Sequence, residues 1–311
     1  METNLLVIVG PTASGKTSMA VALARKLGAE IVSADSRQVY RELDIGAGKD
    51  REEYSTGGPA VACHLIDIVG LDTEYSVFDY QQDFYRVFDR LQQRGVLPIM
   101  VGGSGLYIES VLLRYPLVPV EPDPQLREEL EKLDDEQLEK RLRELKPRLH
   151  ATTDTSSRQR MIRAIEIELH SRKSHPPPAP CINPLVLGVR HSPELLRERI
   201  RKRLRARIEA GMIEEVRRLL GSGVPPERLL ALGLEYRYIT EYLRGNIQGE
   251  KELFRVLAKA IIDFARRQRT WFRRMERRGI RIHWLDGADP EAALRIVHER
   301  MPNRCQPPNA G

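Results

Sequence analysis

Cysteine is scarce in this chain, and long apolar runs are missing altogether. The three cysteines among its 311 residues, Cys63, Cys181 and Cys305, stand far apart without metal-ligand spacing. That pattern excludes a disulfide framework and a thiolate zinc site, and it points to reduced thiols in a cytoplasmic protein. No apolar run approaches the roughly 18 residues that a bilayer span needs. The start, METNLLVIVGP, carries an acidic residue and a short apolar run leading into a glycine loop, so it reads as a strand and not as a signal peptide.

What is there describes a soluble enzyme-sized chain. A hydrophobic content of 41% with 30% charged residues is that of a globular protein long enough for one large domain or two modest ones. The net charge of +6 is unevenly spread: residues 190–281 hold 24 Lys/Arg against 12 Asp/Glu, leaving the remainder acidic. A basic block of this kind suggests a polyanionic partner, nucleic acid first, although a solvated helical surface has the same composition.

The first hundred residues alternate short apolar runs (NLLVIV, EIVSAD, ACHLIDIV, LPIMVGG) with helical patterns, the rhythm of a parallel sheet with crossover helices. Two proline-rich stretches, YPLVPVEPDP and HPPPAPCINP, then bracket two segments of helical period, ELEKLDDEQLEKRLRELKPRL and SSRQRMIRAIEIELHSRK. The expected organisation is an α/β catalytic core over 1–115 and 185–301, a P-loop NTPase-like parallel sheet with flanking helices, carrying an inserted all-helical domain over 116–184. PLVLGV resumes the sheet, long basic helices follow, and the tail 302–311 is expected to be disordered.

Between the first strand and the first helix stands GPTASGKT: Gly10, Pro11, Thr12, Ala13, Ser14, Gly15, Lys16 and Thr17. A strand, a glycine turn and a helix in that order form a phosphate cradle, with backbone amides turned inward and the helix N-terminus adding partial positive charge. Lys16 would reach outer phosphate oxygens, and the Thr17 hydroxyl would sit on Mg²⁺. A motor or switch NTPase also needs a strand that ends in Asp, to support the metal and polarise water. The candidate strand LPIMVGGSG ends instead in glycines and Ser104, a donor to a phosphate oxygen or simply a tight turn. Asp35 ends EIVSAD and is followed by Ser36, Arg37 and Gln38. Its carboxylate could hold Mg²⁺, accept a proton from a nucleophile, or cap the next helix.

Helical spacing over LLRERIRKRLRARIEAGM puts Leu196, Ile200, Leu204 and Ile208 on one stripe, with Arg203 and Arg207 at its inner edge. Those arginines either snorkel from the core or reach into a site over the sheet, where guanidinium suits a pyrophosphate. ARRQRTWFRRMERR interleaves seven arginines with Trp271 and Phe272, and Trp271 is expected on a core stripe with Leu253, Leu257, Ala260 and Phe264. RQRMIRAIE is a further basic helix, with a solvated face as the plain alternative.

Together GPTASGKT, IVSADSRQVYRELDIG, HLIDIV with EYSVFDYQ, LPIMVGGSGLYIESVL, RQRMIRAIE, LRERIRKRL, GMIEEVRRLL and RRQRTWFRR resemble, in order, the motifs of the tRNA dimethylallyltransferases (tRNA isopentenyltransferases) over roughly residues 5–285. The resemblance implies that the loop holds dimethylallyl pyrophosphate, whose five-carbon group passes to the exocyclic N6 amine of an adenosine adjacent to the anticodon in tRNA. Pyrophosphate is then a leaving group, and no acid for activating water is needed. The resemblance makes Asp35 the general base and assigns Lys16, Arg203 and Mg²⁺ to the developing charge; Ser104 stands where the family usually has Thr. It also implies that Asp35, Ser36, Arg37, Gln38 and Ser104 receive the adenosine, extruded from its stack, and that Gln159, Arg160, Met161, Ile162 and Arg163 contact the tRNA. It further implies a cytoplasmic monomer of bacterial type, since the zinc finger of eukaryotic members is absent.

The sequence departs from that pattern at DIGAGKD, at Ser156 and Ser157, and at LGLEYRYI. Three rival readings share the phosphate loop: a kinase of a nucleoside or small metabolite, a prenyltransferase acting on free adenine nucleotides, and an RNA-binding nucleotide switch. The kinase predicts ATP consumption with ADP release, the second predicts that AMP serves as well as RNA, and the third predicts no covalent product.

Overall fold

Parallel strands buried on both faces carry near-continuous apolar runs, and six segments satisfy that rule here. β1 (Leu5–Val9), β2 (Glu30–Ala34), β3 (Cys63–His64), β4 (Pro98–Gly102), β5 (Pro184–Arg190) and β6 (Ile282–Asp286) form one sheet in the order β3-β2-β4-β1-β5-β6, with every pairing parallel. The computed structural model describes residues 2–146, 155, 157–171 and 175–301. Cys305, Ser156 and the tail 302–311 lie outside the described residues.

Register decides what meets at the carboxyl edge. Gly102 of β4 pairs with both Val9 of β1 and Ala34 of β2, so GPTASGKT, Asp35 and Ser104 leave the sheet side by side. Ligands of open α/β sheets bind along this edge. ACHLIDIV reads as a full strand in sequence, yet only Cys63 and His64 pair, because Leu65 (φ 61°) and Asp67 (φ 59°) turn the chain out of the sheet. The sixth strand, IHWLD, is absent from the sequence reading: it lies at an edge with one neighbour and lacks a continuous apolar run.

The core unit spans Met1–Arg114 with Pro180–Gly311, and Tyr115–Ala179 form a second compact unit, against 116–184 expected from the proline-rich flanks. In the core unit, α1 (Lys16–Leu27) packs on the Leu6 and Ile8 face of β1, while α2 (Val77–Gln93) and α3 (Gly105–Leu112) pack on the Leu5, Val7 and Val9 face. The second unit contains α4 (Pro124–Glu131), α5 (Asp135–Leu145) and α6 (Arg158–Ser171) around Leu130, Leu138, Leu142, Met161, Ile162 and Ile165. The segment read as one helix breaks at Asp134, whose carboxylate accepts the Gln137 N–H (2.8 Å) while the Gln137 side chain accepts the Asp134 N–H (2.9 Å). That reciprocal cap starts a new helix.

Back in the core unit, α7 (Pro193–Glu209), α8 (Met212–Gly221), α9 (Pro226–Ala231), α10 (Leu234–Leu243) and α11 (Glu250–Arg277) gather a further apolar cluster, and α12 (Pro290–Arg300) joins α1. Leu196, Ile200 and Leu204 are buried as their spacing predicts. The buried stripe of α11 is turned from the expected one: it runs through Leu253, Leu257, Ile261, Ala265, Gln268, Phe272 and Met275. Phe264 is exposed under the Arg267 guanidinium, and Trp271 is half-buried with Arg274 stacked 3.9 Å above it. A polar residue, Gln268, interrupts the apolar stripe and disguises its phase.

Candidate active site

The cradle begins where β1 ends. Ala13 (φ 61°) and Gly15 (φ 87°) are both left-handed, and the Ser14 N–H donates to the Pro11 carbonyl at 3.2 Å, which closes the loop. At Gly15 a side chain would be strained by the backbone alone. Helix α1 starts at Lys16 with no side-chain cap and no acid in its first turn, so its first amides face the loop without an internal acceptor.

Three side chains that the sequence reading did not single out hold this loop. Gln268 of α11 accepts the Thr12 N–H (2.9 Å) and donates to the Gly103 carbonyl (2.9 Å), tying the loop to the end of β4. Arg199 of α7 donates to the Ala13 carbonyl (2.8 Å), and the His191 Nε2 lies 2.8 Å from the Ser14 carbonyl. Gln268 was hidden among the arginines of RRQRTWFRR, and no periodicity marks it.

Lys16 extends along the loop and donates to the Pro11 carbonyl at 3.4 Å. Burial, reinforced by the Arg203 charge, pushes its ammonium down to about 8, while Asp35 and Glu53 oppose the fall. A lysine held at a loop of inward-turned amides, with Arg203 close by, is a group placed to meet an anion.

Beside the loop, the Asp35 Oδ1 accepts the Arg37 N–H at 2.9 Å. No helix follows directly, so the helix-cap reading of Asp35 fails and the contact is an Asx-type turn. Ser104 accepts the Ser36 N–H at 3.0 Å, with its own hydroxyl 3.5 Å from that of Ser36. Gln38 accepts the Ser33 hydroxyl and donates to the Gly48 carbonyl, each at 2.9 Å. Asp35, Ser36, Arg37, Gln38 and Ser104 therefore line the carboxyl edge of the sheet as a wall fixed by three local sets of hydrogen bonds.

On α7, Arg203 and Arg207 both turn toward the crevice, as their position on the stripe predicts, and share one acceptor. The Asp50 Oδ2 lies 2.6 Å from Arg203 and 3.3 Å from Arg207. The two guanidinium charges hold the Asp50 carboxyl below the usual range against its own burial. Neighbouring Glu53 is raised, by burial and by Asp50, and Glu235, half-buried beside the arginines, is raised by desolvation. Asp50, Glu53 and Glu235 are further members of the site that sequence reasoning missed; Asp50 and Glu235 sit inside the departing stretches DIGAGKD and LGLEYRYI.

Among the described residues no cluster of three or more His, Cys, Asp or Glu could hold a metal alone. A Mg²⁺ ion fits only if Thr17 supplies one hydroxyl and the anion and water supply the remaining oxygens, which is how Mg²⁺ commonly binds beside phosphates.

The expected tRNA contacts of α6 lie in the second unit, and they differ in exposure. Met161 and Ile162 are each 4% exposed and belong to that unit's core. Arg163 is taken up by Glu166 and by the Val120 carbonyl (2.7 Å). Gln159 and Arg160 are exposed. A helix presents contiguous residues to different faces, so the five differ in exposure.

A family model described as IPP transferase matches residues 38–275, and one described as isopentenyl transferase matches 3–58. The chain is 51% identical over 291 residues to a tRNA dimethylallyltransferase of Geotalea uraniireducens, covering 93% of this chain and 95% of that one. It is 52% identical over 295 residues to one of Syntrophus aciditrophicus, covering 94% and 96%. Its fold superposes on the full-length tRNA isopentenylpyrophosphate transferase of Bacillus halodurans with a TM-score of 0.69 at 31% identity, covering 98% and 97%. A eukaryotic dimethylallyltransferase acting on tRNA shares the fold, with a TM-score of 0.73 at 19% identity, covering 97% of this chain and 77% of that one. A strand-edge cradle of cations, a carboxylate beside it and these matches over nearly the whole length lead to one conclusion: the chain belongs to the tRNA dimethylallyltransferase (IPP transferase) family.

Proposed function

We infer that this chain transfers a dimethylallyl group from dimethylallyl pyrophosphate to the exocyclic N6 amine of the adenosine adjacent to the anticodon in tRNA, releasing pyrophosphate. One observation carries the reading: a phosphate cradle that holds Lys16 beside Arg203, with no acid at the end of β4, lies next to the Asp35 carboxylate at the end of β2. Such an arrangement suits a diphosphate that leaves better than a phosphoryl group that is passed to water.

In this reading the loop amides, Lys16 and Arg203 stabilise negative charge as the allylic carbon–oxygen bond breaks. Asp35 takes the proton from the incoming amine, whose lone pair is delocalised into the purine and is a weak nucleophile until the proton departs. Its turn contact with Arg37 engages one carboxylate oxygen and leaves the other for that role. Ser36 and Ser104 orient the wall, and Gln38 ties it to the Gly48 loop. A Mg²⁺ ion held through Thr17 would supply further positive charge to the diphosphate. The basic helices supply the charge that an RNA backbone needs, with Gln159 and Arg160 as the α6 positions open to it. We place the reaction in the cytoplasm, on a monomer; no helix among the described residues is long and apolar enough to cross a membrane.

The test is incubation with radiolabelled dimethylallyl pyrophosphate and either an unmodified anticodon stem-loop or AMP. Label in the stem-loop, with AMP far slower, supports the reading. Equal labelling of AMP moves the acceptor to free nucleotides.

A further inference from the structure

Arg207 is an arginine with too little to do. Its side chain is 13% exposed, yet its hydrogen bonds are two long ones, 3.3 and 3.5 Å, to the Asp50 carboxylate that Arg203 already holds at 2.6 Å. A guanidinium offers five donors and is costly to bury without acceptors. It points into a hollow lined by Thr12, Ala13, Arg203 and Glu235, directly beside the phosphate loop. The chain also makes room for it: a Cβ on Gly48 would lie 2.0 Å from the Arg207 Nη2 and 3.0 Å from the Arg203 Nη2.

The loop that carries Asp50 is fixed in place. Glu215 of α8 accepts the backbone N–H groups of Asp44 (3.2 Å), Ile45 (2.6 Å) and Gly46 (3.4 Å), and Lys49 is buried with its ammonium on the Tyr40 carbonyl (2.7 Å) and on Asp67. Asp50 itself is 43% exposed at the side chain, so its carboxylate can leave the arginines for water without disturbing the loop.

We propose that Arg207 is a second guanidinium of the diphosphate site and that Asp50 is an internal counter-ion which the diphosphate displaces from Arg203 and Arg207. The proposal rests on the diphosphate reading of the cradle. It explains why the arginine expected to meet the substrate is found on a carboxylate: two guanidinium groups at close range need an anion, and Asp50 supplies one until a stronger, multiply charged one arrives. Asp50 therefore lowers apparent affinity for the diphosphate, and with it the retention of pyrophosphate after transfer. Arg207 raises both.

The probe is inorganic pyrophosphate, titrated calorimetrically into the full chain and into Arg207→Met, Asp50→Asn and the double variant, with thermal melting recorded for each. Arg207→Met is expected to weaken pyrophosphate by about tenfold to a hundredfold, the loss of one charge-assisted pair. Asp50→Asn is expected to tighten it several-fold, and the gain should shrink in the double variant. If Arg207→Met lowers the melting temperature but leaves pyrophosphate affinity within about twofold, Arg207 is a structural partner of Asp50 and the proposal falls. Weaker binding in Asp50→Asn overturns the counter-ion role, because Asp50 would then be positioning the arginines. An unaltered chain that binds no pyrophosphate at all removes the cradle reading, and this inference with it, which is a different outcome from either failure.

Discussion

At the scale of single residues, the account divides the labour between a carboxylate and a set of cations. Asp35→Asn keeps the turn contact with Arg37 and removes the base. It should slow single-turnover transfer by about a hundredfold while leaving pyrophosphate affinity unchanged, and an undiminished rate would take Asp35 out of the chemistry. Lys16 gives a pH signature. With its ammonium held down to about 8, it is charged below that pH and neutral above it, so its contribution to anion binding is present at pH 7 and fades as pH rises past 8. The same depression means that the charged form is disfavoured in the free fold, so folding stability gains from Lys16 as pH climbs from about 8 toward the usual lysine value of 10.5. Pyrophosphate affinity measured from pH 7 to 9.5 should fall relative to that of Lys16→Arg, which stays charged throughout. Parallel profiles for the two proteins would remove Lys16 from the anion site. The motif residues were legible because GPTASGKT needs a fixed spacing along one loop. Asp50, Glu235 and Gln268 were not, since each acts from a different element and none belongs to a repeating pattern.

At the scale of elements, position on the stripe was readable for α7 and misleading for α11. Three large apolar side chains set the phase of α7 and carry Arg203 and Arg207 inward with them. Gln268 stands in the buried stripe of α11 for a reason outside that helix: it binds the Thr12 amide and the Gly103 carbonyl together. Gln268→Ala should leave those two groups unpaired, destabilise the fold by about 1–3 kcal/mol and raise KM for the pyrophosphate substrate more than it lowers kcat. A fall in melting temperature with KM unchanged would mean that the loop keeps its shape without Gln268. The end of α11 is tied to α3 by a buried carboxylate, Glu109, with Arg274 at 2.5 Å and Arg278 at 2.8 Å. Glu109→Gln should destabilise by about 3–5 kcal/mol, because two arginines lose their shared buried anion, and denaturant unfolding measures it. Strand β3 was overread and β6 unread for opposite reasons. Positive φ angles end the first despite an apolar sequence, while the second pairs on one side only and tolerates His283.

At the scale of the whole molecule, the parallel sheet and the helical second unit followed from the alternation of apolar runs and the proline-rich flanks, the strand order did not, and the tilt of charge followed from counting. The count of 24 basic against 12 acidic residues over 190–281 gives a long-range field, but several of those arginines serve inside the protein: Arg199, Arg203, Arg207, Arg274 and Arg278 are all engaged with loops or carboxylates. Composition alone cannot separate these from the residues that meet RNA. Stem-loop binding, resting on the remainder, should weaken at least about tenfold between 0.05 and 0.2 M salt, following counterion release from the phosphates. A flat salt response in a filter-binding titration would show that the basic surface is not the RNA-binding surface.

The central claim is that the cradle holds a leaving group, so the decisive measurement is the product balance of one turnover. With dimethylallyl pyrophosphate and an anticodon stem-loop, and no ATP, pyrophosphate release should equal the amount of adenosine that gains a five-carbon group by nucleoside mass spectrometry. Adenosine that gains no mass in that reaction, while a parallel reaction given ATP forms ADP, would contradict it.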